Sequence, residues 1–273
     1  MAGAIICTGN AAADIAAIEA SFAQGGITTV LGSIIAPTTR INLAVPVNVP
    51  QRGTSRLIGG YYEVDGINVS GRNTGITDIE MLAYGAGIRK DTAILFRLRD
   101  SYIASHGNAV ELDTIAGSWI SDNHFNALGS YAATGAAALS IGDTPLGYEA
   151  ADVIGNLVER YYTAFRVGGT GNCVNLRFSG NRCDRPTSAS YLFAPQGTAG
   201  IRNTLIDEYW INQGIYSIVL SVAETTGRID RIDIGMGHVL GTTHPGVTVM
   251  GDPSRVDYRV HGAGLVVGPA EPG

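Results

Sequence analysis

The chain carries 24 acidic side chains, and paired carboxylates are the machinery of glycoside hydrolysis, with their separation fixing the stereochemical outcome. On a scaffold of stacked strands such pairs come from one strand or from neighbouring ones. Asp78 with Asp100, Glu111 or Asp113 with Asp152, Glu159 with Asp184, and Asp207 with Glu208 are the pairs to consider. From these, Asp152, Glu159 and Asp184 are the catalytic candidates, although chance adjacency is expected with so many acids. A uronate lyase or epimerase needs a base and a group that neutralises a carboxylate. Lys90 is the only lysine, and Arg177, Arg182 and Arg185 around Asp184 read as a surface ion-pair group. The five histidines show no metal-ligand spacing, so no metal is expected. His124, beside Trp119 and Phe125, reads as a packed or surface residue. No nucleophile elbow or phosphate loop is present, and no cofactor is expected.

Composition narrows the function classes. The net charge is −6 with no basic run able to follow a phosphate backbone, which argues against nucleic-acid binding. Hydrophobic residues make up 45% and charged residues 15%, the reverse of a disordered chain. So little charge also fits a surface partly buried against another chain. Cys7, Cys173 and Cys183 are too few for a disulfide framework; Cys173 and Cys183 could be neighbours in one coil but read first as small buried fillers. Residues 1–12 hold no lysine or arginine, unlike a secretory signal, and no stretch nears the ~18 apolar residues of a membrane helix. The expectation is a protein made in the cytoplasm, without membrane insertion.

The elements that must position these side chains are of two kinds. Asn10 or Asp14 can cap a helix in which Ile15, Ile18 and Phe22 recur at helical spacing, and Gly25–Gly26 ends it. After residue 27, short β-branched runs are broken by Gly, Asn, Asp and Ser. Aligning polar positions gives Asp78, Asp100, Asn123, Asn156, Asn181, Asp207 and Gly235, at intervals of 22, 23, 33, 25, 26 and 28 residues. That repeat predicts a solenoid with a left-handed backbone residue at each tight corner, where Gly and Asn are tolerated. Stacked asparagines can also bond to their equivalents in the next coil.

The long interval contains Ala127–Pro145, read as an excursion from the solenoid, and Pro186–Gly200 is a second candidate binding segment. Tyr131, Tyr148, Tyr191 and Phe193 are the candidate carbohydrate-binding residues, although a strand with Leu192 inward would explain the last segment equally well. The expected fold is all-β: a right-handed parallel β-helix with a short N-terminal capping α-helix. Its parts are an attachment tail at 1–11, with Ile5 and Ile6 packing on another chain, a helix at 12–26, the β-helix at 27–240, and C-terminal coils or a cap at 241–273.

The residues 12–26 (AADIAAIEASFAQGG), the run Ile27–Val30, and the corners VIGN, FSGN and ISDN together resemble the right-handed β-helices of the pectate-lyase-like superfamily. Within it they look most like the trimeric spikes of bacteriophages and related particles. The Pro-Gly-x-Tyr-like turn usual after the first strand is missing, with Leu31–Ala36 in its place. The catalytic motifs of polygalacturonases and pectate lyases are likewise not recognisable. The resemblance therefore implies a homotrimeric virion spike that binds host cell-surface polysaccharide and attaches to other virion proteins through its N-terminus. A glycan depolymerase and a purely structural β-helix are the alternatives.

Overall fold

The computed structural model describes residues 4–45, 55–142, 151–223, 226–261 and 265–268, with backbone alone at 92–93, 114–115 and 265–268. Short runs with apolar residues at every second position can bury one face of a strand, and here each finds a parallel partner in the next coil. The result is a parallel β-solenoid of about nine turns. One sheet follows the axis from Ala4–Ile6 and Ile27–Leu31 to Val256–Val260, and we call this face 1. The other sheet covers two faces. It bends between them along long strands such as Tyr61–Ser70, whose first half pairs with Glu80–Ala83 (face 2) and second half with Ile88–Ile94 (face 3).

Register converts the sequence into columns. Inward on face 1 run Ile76, Leu98, Ile120, Val153, Phe178, Ile206 and Ile234, all essentially inaccessible. Inward on face 2 run Met81, Ile103, Phe125, Val158, Cys183, Ile211 and Val239. Cys183 is thus a column filler, and no disulfide joins Cys173 to Cys183. Burial pushes the Cys183 thiol far above its usual range.

The corner between faces 1 and 2 explains the repeat and corrects its reading. The left-handed residue is Asp78, Asp100, Asp122, Gly155, Gly180 and Glu208, with φ between 51° and 66°. The asparagines come one position later, as a ladder inside the corner. Asn123 and Asn156 are almost fully buried, and the Asn123 backbone and side-chain N–H groups donate to Asn156 Oδ1 at 3.1 and 3.0 Å. Asn156 repeats this onto Asn181 Oδ1 at 3.0 Å in both bonds. The ladder continues towards the N-terminus as Ser101 N–H donating to Asn123 Oδ1. The alignment of polar residues mixed neighbouring columns, because a corner residue and a ladder residue are both polar.

The N-terminal helix spans Ala11–Ala23, with Asn10 as its cap through a bond from the Ala13 amide. Asp14 is buried instead and accepts from the amide and hydroxyl of Thr8. Ile15, Ile18 and Phe22 enter the core at the first coil, and Glu19 accepts from the Asn42 amide at 2.7 Å. That bond satisfies a donor on the first strand of its sheet.

Three further segments take definite form. In the N-terminal tail Ala4–Ile6 pairs in parallel with Ile27–Leu31, and Ile5 packs on the chain's own core while Ile6 stays exposed. Ala127–Pro145 is not an excursion as a whole. Ala137–Ile141 is a buried face 3 strand paired on both sides, and the added length lies in the 128–136 connection and in 143–150, outside the described residues. After 241 the chain continues as coils: the strand Gly237–Met250 runs through that position and Val256–Val260 continues face 1.

Candidate functional site

Strand alternation decides what face 1 offers to solvent. With Ile120 inward, Trp119 must point out, and it is 46% exposed. Register places Arg97 and then Gly75 and Arg56 on the coils before it, and Asp152 and Arg177 on the coils after it. Glycine leaves a gap in this outward column between two arginines. The gap, with Thr77, Arg99, Ser121 and the corner residues Asp100 and Asp122, forms a hollow of about 470 Å³ walled by Trp119. Arg99 pairs with Asp100 at 3.6 Å. Among the described residues Arg56 and Arg97 have no carboxylate partner. An aromatic plane beside free guanidinium groups and hydroxyls suits a ring that is apolar on one face and polar at its rim.

The three carboxylate candidates do not converge. Asp152 lies on face 1, next to Trp119 in register. Glu159 and Asp184 are register partners on face 2. Both are engaged: Glu159 with His124 Nε2 at 2.6 Å, and Asp184 with Arg185 Nε at 3.0 Å and Asn212 Nδ2 at 2.8 Å. The Tyr102 and His124 rings meet in a T-shaped pair, with centroids 5.0 Å apart. His124 is therefore a surface residue held in a polar cluster. Among the described residues no group of three or more His, Cys, Asp or Glu side chains could hold a metal ion, and no helix is long and apolar enough to cross a membrane.

The aromatic candidates separate as sharply. Tyr131, 51% exposed, sits on the 128–136 connection, away from the residues lining the hollow. Tyr148 lies outside the described residues. Tyr191 and Phe193 are corrected from surface to core: Ala189–Pro195 is a face 3 strand whose odd positions point inward, so Leu192 faces out. Tyr191 stacks on Phe165 at 5.1 Å and meets Phe178 edge-on at 5.7 Å. Both side chains are essentially inaccessible, so neither ring is available to a glycan, and the same burial pushes the Tyr191 phenol well above its usual range.

Arg56, Arg97 and Trp119 were missed as a group because the alignment followed polar corner residues. A strict 22-residue step back from Trp119 reaches Arg97 and then Gly75, a signal present in the sequence. Compared with family models, with curated proteins and with solved structures, the chain matches none.

Proposed function

We propose that this chain is a spike or fibre component of a bacteriophage or phage-like particle, and that its solenoid binds host surface polysaccharide. The observation that carries the binding part is the Trp119 hollow, an exposed aromatic face beside free arginines on a rigid sheet. Rung spacing of about 4.8 Å is close to the advance of one sugar along a chain, so a glycan laid along the axis meets equivalent positions repeatedly. The virion setting rests on the resemblance of residues 12–26 and of the Asn-bearing corners to spike proteins. Assembly as a homotrimer, with attachment to other virion proteins at the N-terminal end, is supported by Ile6, Ile27, Leu31 and Ile35. These four are each at least half exposed on the first coils.

One observation favours depolymerisation as a second reading: Asp100 and Asp122 line the same hollow on successive coils. Binding and cleavage are separated by measuring retention of the protein on capsulated bacteria together with release of reducing ends. Trp119→Ala is expected to weaken retention about tenfold, the loss of one stacking contact worth about 1.4 kcal/mol, with the solenoid intact. Retention unchanged in the variant, or absent in the parent protein across a broad panel of bacterial polysaccharides, would overturn the proposal. Release of reducing ends lost in Asp100→Asn would make the second reading the right one.

A further inference from the structure

The hollow also carries a statement about which glycans it takes, one that rests on the binding reading above. Arginines elsewhere on the surface are largely committed: Arg89 to Glu111 at 2.6 Å, Arg40 to Asp65 at 2.8 Å, and Arg166 to Ser140 at 2.8 Å. Arg72, Arg177 and Arg259 also have no carboxylate partner among the described residues, but of these five only Arg56 and Arg97 line the hollow. They occupy the same outward column two coils apart, with Gly75 between them, and have no carboxylate partner among the described residues. Two coils set their backbones roughly 10 Å apart, and the missing side chain at Gly75 opens the space between. A Cβ added there would come within 3.3 Å of the Arg97 carbonyl and 3.6 Å of Arg56 Cγ.

We infer that the hollow selects an acidic sugar, its carboxylate held between the Arg56 and Arg97 guanidinium groups while its ring lies on Trp119. The chemistry fits on three counts. A guanidinium fork matches a carboxylate with two parallel hydrogen bonds. With Arg99 the hollow holds three guanidinium groups against the two carboxylates of Asp100 and Asp122, a local excess of positive charge in a chain of net charge −6, which otherwise repels acidic polymers. Trp119, on the coil next to Arg97, supplies the stacking plane within one rung of the charge. Thr77 and Ser121 place hydroxyls along the same hollow to meet sugar hydroxyls.

The test uses the full chain and quenching of its tryptophan fluorescence. The probes are oligogalacturonate, hyaluronan fragments and oligosialic acid, each beside its own carboxyl-reduced form, with dextran oligosaccharide as a neutral polymer. At least one acidic probe is expected to bind, its carboxyl-reduced form binding about tenfold or more weakly, as loss of charge-assisted bonds requires. Affinity should fall as salt rises. Arg97→Gln and Arg56→Gln should each reproduce the loss while leaving the thermal midpoint unchanged. Equal affinity for a reduced and an unreduced probe, or full affinity in both arginine variants, would overturn the inference. Binding of dextran alone would overturn it with the polysaccharide reading left standing. No binding to any probe, together with no retention on bacteria, would sink both.

Discussion

Asn156→Leu is expected to destabilise the solenoid by about 3–4 kcal/mol, although the two side chains are similar in volume. Asn156 accepts from the Asn123 backbone amide and side chain, and donates to Asn181 Oδ1 and to the carbonyls of Ile120 and Ile154. Leucine fills the space but leaves the Asn123 amide and the Ile120 carbonyl buried without these partners, each worth about 1–3 kcal/mol. The damage should also pass along the ladder, since Asn123 keeps its bond to the Leu98 carbonyl but loses the one to Asn156 that helps orient the side chain on which the Ser101 amide depends. Denaturant unfolding monitored at the tryptophans measures the loss directly. A change below about 1 kcal/mol would mean that the ladder is not what holds this corner.

The second large effect concerns the chain's only lysine. Lys90 stands in an inward column between Val69 and Leu112, fully buried, with its Nζ donating to the Gly71 carbonyl. Burial pushes its ammonium down from the ordinary 10.5 to about 8, with neighbouring Asp91 opposing the shift. Below pH 8 both folded and unfolded chains carry the proton, and the folded state bears the whole penalty, about 3 kcal/mol. Between pH 8 and 10.5 the unfolded chain alone still holds it, so stability rises with pH through that window. Cys183 and the buried tyrosines Tyr62, Tyr161 and Tyr191 act the other way. Their acid forms are favoured by burial, and they begin to cost stability as the unfolded thiol and phenols ionise above about pH 9 and pH 10. Comparison with Lys90→Met isolates the lysine. The parent protein should gain about 2–3 kcal/mol on the variant between pH 7 and pH 10. A difference that is flat with pH would show that Lys90 keeps its charge solvated.

The sequence and the structure agree most where physics is local. Helical spacing of Ile15, Ile18 and Phe22 and the Gly25–Gly26 stop were enough to place the helix, because each signal acts within a turn or two. The coil repeat was legible because every corner needs one residue that tolerates a left-handed backbone. What could not be read locally was which polar residue does which job. Asp122 and Asn123 are both corner-like in type, and only the neighbouring coil makes one an exposed left-handed turn and the other a buried ladder rung. The parity of Ala189–Pro195 failed for the same reason. Tyr-Leu-Phe is apolar throughout, and only the stacking partners Phe165 and Phe178 decide that Tyr191 and Phe193 point in. The hollow was hidden by the same dependence on register, since Arg56, Gly75, Arg97 and Trp119 acquire meaning only when stacked.

Register between coils therefore carries both the fold and the site, and it can be measured by cross-linking. Asp152 and Arg177 face outward as register partners on face 1, on either side of one rung spacing of about 4.8 Å, within the Cα separation that a disulfide spans. Asp152→Cys with Arg177→Cys should close a disulfide under mild oxidation, identified by peptide mass spectrometry. Asp152→Cys with Leu205→Cys, one coil further along, should remain reduced. A disulfide in the second pair and none in the first would contradict the register on which the ladder, the core columns and the Trp119 hollow all depend.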